Sequence, residues 1–371
     1  MTETYEWSQP SLDSPLYGNR KRHTYRIDLL DSENEFIEEL TWADGARLGV
    51  MPGGSLDLSN ATDTRESAQF TILRDREEPL DWLKHRLRVW YTGDGVEEPQ
   101  PLSTLLPVAA PLTYPSTHVE EALEVHGMLA ILQRSTMGTT FGVAQDRVVT
   151  DVMNDILGTS GVSDFNIVPS PKKTQASRVW DANATQLRIL NDLAESIGYW
   201  AMSTTEMGSV VSEPITPLDA RELAWVFDDG PRTGLYLPGW SRDRDLRVVN
   251  RVTVIQRVEG DWENILTATA ELPPDHPQSF ENVGFYYDRV EPDVDFVTEE
   301  DGYLAALRLL GQGVPYETRT IVHPWLPGLR PNVKVLHRQN GVPDLLGSIQ
   351  NQSIQLKSGG LVTTKIVRSG L

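Results

Sequence analysis

The sequence has 371 residues, with 53 acidic side chains against 33 Lys and Arg, a formal net charge of -20, and no cysteine. A chain this acidic does not hold nucleic acid by neutralising phosphates, which takes clustered Lys and Arg, and an anionic membrane surface repels it. The missing cysteines exclude disulfides, thiolate zinc sites and cysteine nucleophiles.

Hydrophobic residues make up 39% and charged residues 23% of the chain, the balance of a folded protein rather than a disordered one. The length allows roughly two to four domains. Residues 1–20 are rich in Ser, Pro and Glu and read as an N-terminal arm. They lack the basic-then-apolar order of a secretory leader, so synthesis in a cytoplasm is expected. No apolar run approaches the ~20 residues of a membrane helix.

His23–Leu30 (HTYRIDLL) reads as a strand, and after a turn at DSEN a second strand near Phe36–Leu40 completes a hairpin. Asp44–Gly54 is a Gly-rich loop. In SLDLSNATDTRESAQFTIL, Leu56, Leu58, Phe70 and Ile72 alternate with polar residues. Leu87–Tyr91 is another strand, ended by TGDG. Leu102–Leu112 is apolar and punctuated by Pro, and Val119–Leu132 fits either a strand or a short helix. Short strands broken regularly by turn residues make the chain up to about residue 135 a β-barrel or sandwich.

A helix is expected over Asp146–Leu157, with Val148, Val152 and Ile156 on one face and Gly158 ending it; a strand follows at Phe165–Val168. The stretch WDANATQLRILNDLAESIGYW (Trp180–Trp200) contains one amphipathic helix. Thr185 is its N-cap, Leu187, Leu190, Ala194 and Ile197 give it one apolar face, and Gly198 supplies the left-handed exit. It belongs in a core, packed on a sheet. Trp200–Ser203 and Ser209–Val211 form a small hairpin, and Leu223–Phe227 is a strand before the turn DDGP.

Alternation returns in Val248–Val258, with Val252 and Val254 on one face, and Ile265–Leu272 is a further strand. Pro273–Phe280 is a loop. Thr298 as N-cap and Asp301 at the capping-box position start a helix over Glu299–Leu310, with Tyr303, Leu307 and Leu310 sharing a face and Gly311 as the stop. Arg319–His323, Val333–Leu336, Leu346–Leu356 and Leu361–Val367 finish the chain as strands. The expected fold class is mostly β with α+β insertions.

No motif marks an enzyme. The seven histidines, at 23, 85, 118, 126, 276, 323 and 337, show no metalloprotease spacing and no His-x-His pattern. His118 and His126 beside Glu120, Glu121 and Glu124 read as surface residues. Neither GARLGVMPGG (Gly45–Gly54) nor KSGG (Lys357–Gly360) has the context of a phosphate loop. DDGP at Asp228–Pro231 and EPDVD at Glu291–Asp295 are turn-like. The latter's Asp293 and Asp295 lack the twelve-residue calcium pattern, and no carboxylate pair singles itself out for glycoside hydrolysis. No catalytic, cofactor-binding or metal residue is assigned. The ten tryptophans are spread through strand-like stretches and suit core packing.

Several stretches carry a family resemblance. GVMPGGSLDLSNATDTRESAQFTIL (Gly49–Leu73), VWDANATQLRILNDLAESIGYW, LRVVNRVTVI (Leu246–Ile255) and TRTIVHPWLPGLRPNVKVL (Thr318–Leu336) resemble, in order and spacing, segments of the phage tail hub family, gp27-like or late-control-D-like. The arm and the 205–220 loop fall outside it. The resemblance implies two tube-type β-barrel domains flanking smaller α/β domains: 1–20 as arm, 21–135 as first tube-like domain, 136–242 as α+β domain, and 243–371 as second tube-like domain with a helical insertion at about 273–315. It implies a homotrimer forming a pseudo-hexameric ring at the virion tail tip, without enzymatic activity or cofactor. Implied partners are a distal tail protein or tail tube ring, a tape measure protein and tip or fibre proteins, with DNA passing the channel unbound. Alternatives are a receptor- or carbohydrate-binding tail protein using Trp240, Tyr286 and Tyr287, and a tail-associated cell-wall hydrolase.

Overall fold

The computed structural model describes residues 23–40, 48–50, 53–74, 80–93, 98–114, 119–174, 176–228, 239–244, 249–256, 266–294, 296, 298–312 and 317–368. The N-terminal arm, part of the loop 44–54 and most of the DDGP turn lie outside them.

Most strands join one 15-stranded sheet. Its path runs from Ser241–Arg244 through Glu317–His323, Val362–Arg368, Val342–Gln355, Ser55–Ser59, Glu66–Arg74 and Val119–Gly127 to Gln100–Ala109, Arg86–Gly93, His23–Leu30 and Phe36–Glu39. Among the described residues the path does not close on itself. Alternation fixes which side chains point inward. Leu56, Leu58, Ala68, Phe70, Ile72, Leu123 and Val125 fall on one buried face and form the core of the first half. Trp225, Phe227, Ile321, Val335, Leu345, Ile349 and Ile366 form a separate core in the second half.

One strand belongs to both halves. Val342–Gln355 is 14 residues long. Its early part pairs with Lys334–Gln339, and its later part pairs with Ser55–Ser59, Asn351 lying opposite Ser59 and Gln355 opposite Ser55. Ile349 lies in the second core and Ile354 in the first.

Two smaller units pack beside the sheet. In the first, helices Val149–Thr159 and Gln186–Ser196 bury Val152, Met153, Ile156, Leu187, Leu190 and Leu193 against each other and against short strands. The Thr185 hydroxyl accepts from the Arg188 N–H at 3.2 Å, and Gly198 takes the left-handed φ of 74°. In the second unit, helix Glu299–Gln312 covers a three-stranded sheet of Thr267–Glu271, Arg251–Gln256 and Asp288–Val294. Its capping box forms as expected: Thr298 and Asp301 exchange bonds at 3.1 and 3.2 Å. Gly302 lets the helix close down, since a Cβ there would sit 2.7 Å from the Phe296 ring.

The structure differs from the sequence expectations at several points. Val119–Leu132 is both alternatives in turn, a strand to Gly127 and then a helix over Leu129–Arg134. Gly158 lies inside its helix, and the left-handed residue that follows the end is Gly161. Gly311 does not stop the last helix, which continues to Gln312. Tyr303 is 46% exposed, because the buried face of that helix centres on Gly302, Ala305, Ala306 and Leu309 and leaves Tyr303 on its flank. Arg251–Gln256 builds the small sheet rather than the large one, and Leu223–Asp228 pairs in parallel with Lys334–Gln339 of the large sheet.

Leu190 is fully buried in the helical unit. Leu190→Arg should destabilise the protein by about 4 kcal/mol or more, since a cation would enter an apolar core without a partner. Urea denaturation checks this, and an unchanged midpoint would remove the helix from the core.

Candidate functional site

Two features of the large sheet bear on function: its exposed ends and the polar seam at its middle. Among the described residues the end strand Phe36–Glu39 pairs only with His23–Leu30, and all four of its residues are exposed, Phe36 at 61% and Ile37 at 45%. The opposite end strand, Ser241–Arg244, is held by charge. Arg242 reaches the buried Glu317 carboxylate at 2.6 Å and Arg244 reaches it at 3.3 Å. Exposed edges offer unpaired backbone groups to another chain.

The seam begins at Glu66, the first inward position of the row Glu66, Ala68, Phe70 and Ile72. Its carboxylate accepts from Arg330 Nη2 at 2.7 Å and from the Ser103 hydroxyl. Burial pushes the carboxyl above the ordinary range, against the opposing pull of Arg330 and Ser103. Arg330 also meets Glu206 at 2.7 Å. Around it, Thr104 donates to the Glu206 carbonyl at 3.0 Å and Arg88 to the Met207 carbonyl at 3.1 Å. Gly208, at φ 89°, brings this loop against the Thr104 side chain. One arginine thus ties the second half of the sheet to the first and to the helical unit. The docking loop lies in the 205–220 segment that the family resemblance leaves out.

A second buried polar row lines Glu317–His323, whose inward positions are Glu317, Arg319, Ile321 and His323. Arg319 is fully buried, bonding Glu317 at 2.8 Å and His337 Nδ1 at 2.9 Å and lying 5.1 Å from the Trp240 ring. His323 donates from Nδ1 to the Pro324 carbonyl, so its Nε2 accepts from the Thr364 hydroxyl at 2.7 Å. Burial holds this imidazole neutral, its pKa lowered to about 4. Neither row was singled out in the sequence, although extending the alternation from Phe70 and Ile72, and from Ile321, places both inward.

The aromatic candidates do not share a surface role. Trp240 packs on Arg319 and on His337, 5.1 Å between ring centroids. Tyr286 stacks on Phe280 at 4.5 Å between ring centroids, and the Arg251 guanidinium lies 3.7 Å from its centroid. Tyr287 is 41% exposed and meets Phe285 edge to face. His126 pairs with the exposed Glu124 at 3.3 Å; His118 and Asp295 lie outside the described residues. Among the described residues no three His, Cys, Asp or Glu side chains are grouped to hold a metal ion.

Comparison with solved structures defines the class of fold. The 43 kDa tail protein of prophage MuSo2 from Shewanella oneidensis matches with a TM-score of 0.61 at 11% identity, over 92% of this chain and 98% of that one. A tail protein from Neisseria meningitidis MC58 matches with a TM-score of 0.62 at 12% identity, over 94% and 97%. The E. coli c3393 protein, a type VI secretion component described as similar to the T4 bacteriophage tail proteins gp27 and gp5, matches with a TM-score of 0.51 at 10% identity, over 87% and 75%. No protein-family model matches the sequence, and no curated protein does. The chain has the fold of phage tail hub proteins, as the resemblance implied.

Arg330→Ala should cost about 3–5 kcal/mol, because it leaves the Glu66 carboxylate buried and unpaired. Adding Glu66→Ala should recover part of that loss. A double-mutant cycle in urea measures the coupling, and strictly additive losses would dissolve the proposed lock.

Proposed function

We propose that this protein is a structural hub at the tip of a bacteriophage tail. The observation that carries the proposal is one open sheet built of two halves with separate cores, on a fold shared with tail proteins along nearly the whole chain. A chain with two tube-like parts solves a symmetry problem: three copies present six such parts and so continue a six-fold tube into a three-fold tip. The first part corresponds to residues 21–135. The second is drawn from 243–371 and includes Leu223–Asp228, and the units between them project to the side.

The exposed end strands serve the contacts between copies, and pairing them removes a standing aggregation hazard. The acidic composition suits a channel that passes DNA without retaining it. On this proposal the chain performs no reaction of its own. Its partners are further copies, a distal tail protein or tube ring, the tape measure protein and tip or fibre proteins.

Light scattering at high protein concentration should give the mass of a trimer. Ile37→Pro, placed on the exposed end strand, should shift that mass to a monomer while leaving the circular dichroism spectrum unchanged. A monomer at every concentration, or a trimer indifferent to Ile37→Pro, would count against the edge-mediated ring.

A further inference from the structure

A cleft of about 740 Å³ opens where the large sheet and both smaller units meet. Its wall carries Arg65, Arg221, Arg308 and Arg330, an unusual concentration in a chain of net charge -20. The four are not equivalent. Arg330 is neutralised by Glu66 and Glu206, and Arg308 by Glu195.

Arg65 and Arg221 have no carboxylate within ion-pair distance among the described residues. Arg65 donates to the carbonyls of Asn60 and Met202, and Arg221 to those of Thr216 and Asn332 at 2.8 Å each. Carbonyl dipoles orient a guanidinium but leave its charge uncompensated. Burial disfavours both cations; at Arg65 the nearby Asp63 carboxylate offsets part of that cost, and Arg308 adds a smaller like-charge repulsion. The rim carboxylates Asp63 and Glu213 are exposed, and Asp63 acts on Arg65 only from beyond ion-pair distance.

The cleft is also built to hold these groups in place. The Trp200 ring supports Arg221 from 5.1 Å. Arg65 sits at φ 61° and Asn332 at φ 72°, so residues on two walls of the cleft adopt the left-handed backbone that a bulky side chain such as Arg rarely takes. Strain of this kind persists where the surroundings over-determine it, often at binding sites. Asn60 fixes the two walls together, donating to the Asn332 carboxamide oxygen at 2.6 Å.

We propose that this cleft binds a compact, multiply charged oxyanion, a phosphate or a polycarboxylate, at the Arg65 and Arg221 guanidiniums. Planar guanidiniums match such oxyanions through paired charge-assisted hydrogen bonds. The bound anion joins the loop after Leu58, which carries Arg65, to the segment before Leu223, which carries Arg221. The inference goes beyond the tail role and does not depend on it.

The test is calorimetric titration of the full chain with inorganic phosphate and, separately, with citrate, at constant ionic strength set with chloride. Binding of either anion is expected, and Arg65→Gln with Arg221→Gln should weaken it roughly tenfold or more. Arg65→Lys, which keeps the charge and loses the fork, should fall between. Arg251→Gln, on the exposed face of the small sheet, should change nothing. Phosphate binding alone assigns a phosphoryl ligand, and citrate binding alone a carboxylate ligand. If the double variant fails to fold, Arg221→Gln alone carries the test. Absence of binding by both anions, or affinities equal in the wild type and the arginine variants, overturns the proposal.

Discussion

The strand Val342–Gln355 is the constraint on which the rest of the structure depends. It is longer than either half of the sheet needs. Its first residues are fixed by Lys334–Gln339 and the second core, its last by Ser55–Ser59 and the first core. A one-residue slip would turn every inward side chain of one half outward. Between Ile349 and Asn351 the pairing shifts register, so the inward side chains change from odd positions in the second core to even ones in the first. Two β-structures with separate cores are joined in one sheet because a single strand passes through both.

Polar groups refine that coupling. Apolar cores supply most of the free energy of burial, but they tolerate many similar arrangements. Glu66 and Arg330 accept one arrangement only, since the buried Glu66 carboxylate needs its partner at hydrogen-bond distance. The same logic holds the end strand Ser241–Arg244 through Glu317, and the second core through Arg319 and His337. These rows sit where separate pieces of chain must find one another. That is the place where specificity matters more than added stability.

Much of this was legible in the sequence because strand and helix periods are local. The alternation at Leu56, Leu58, Phe70 and Ile72, the cap at Thr185 and the box of Thr298 and Asp301 each involve residues a few positions apart. What was not legible is non-local. The Gln186–Ser196 helix reads plainly, whereas the assignment of Arg251–Gln256 to a small sheet depends on a partner as distant as Asp288. The seam was hidden for the same reason, since Glu66 and Arg330 lie 264 residues apart. Tyr303 departs from the expected buried face because helical spacing does not say which arc of the helix meets the sheet. The edges follow only from the completed strand order.

The central claim is that one chain presents two tube-like parts, so that three copies make a six-fold ring. Electron microscopy of the assembled protein, with averaging free of imposed symmetry, addresses it most directly. The account predicts a three-fold particle with six similar β-lobes around a hole wide enough for duplex DNA, about 20 Å, the width over which the backbone charge must be passed without capture. Closed particles of another symmetry, or a three-fold particle with only three lobes at the channel, would contradict it.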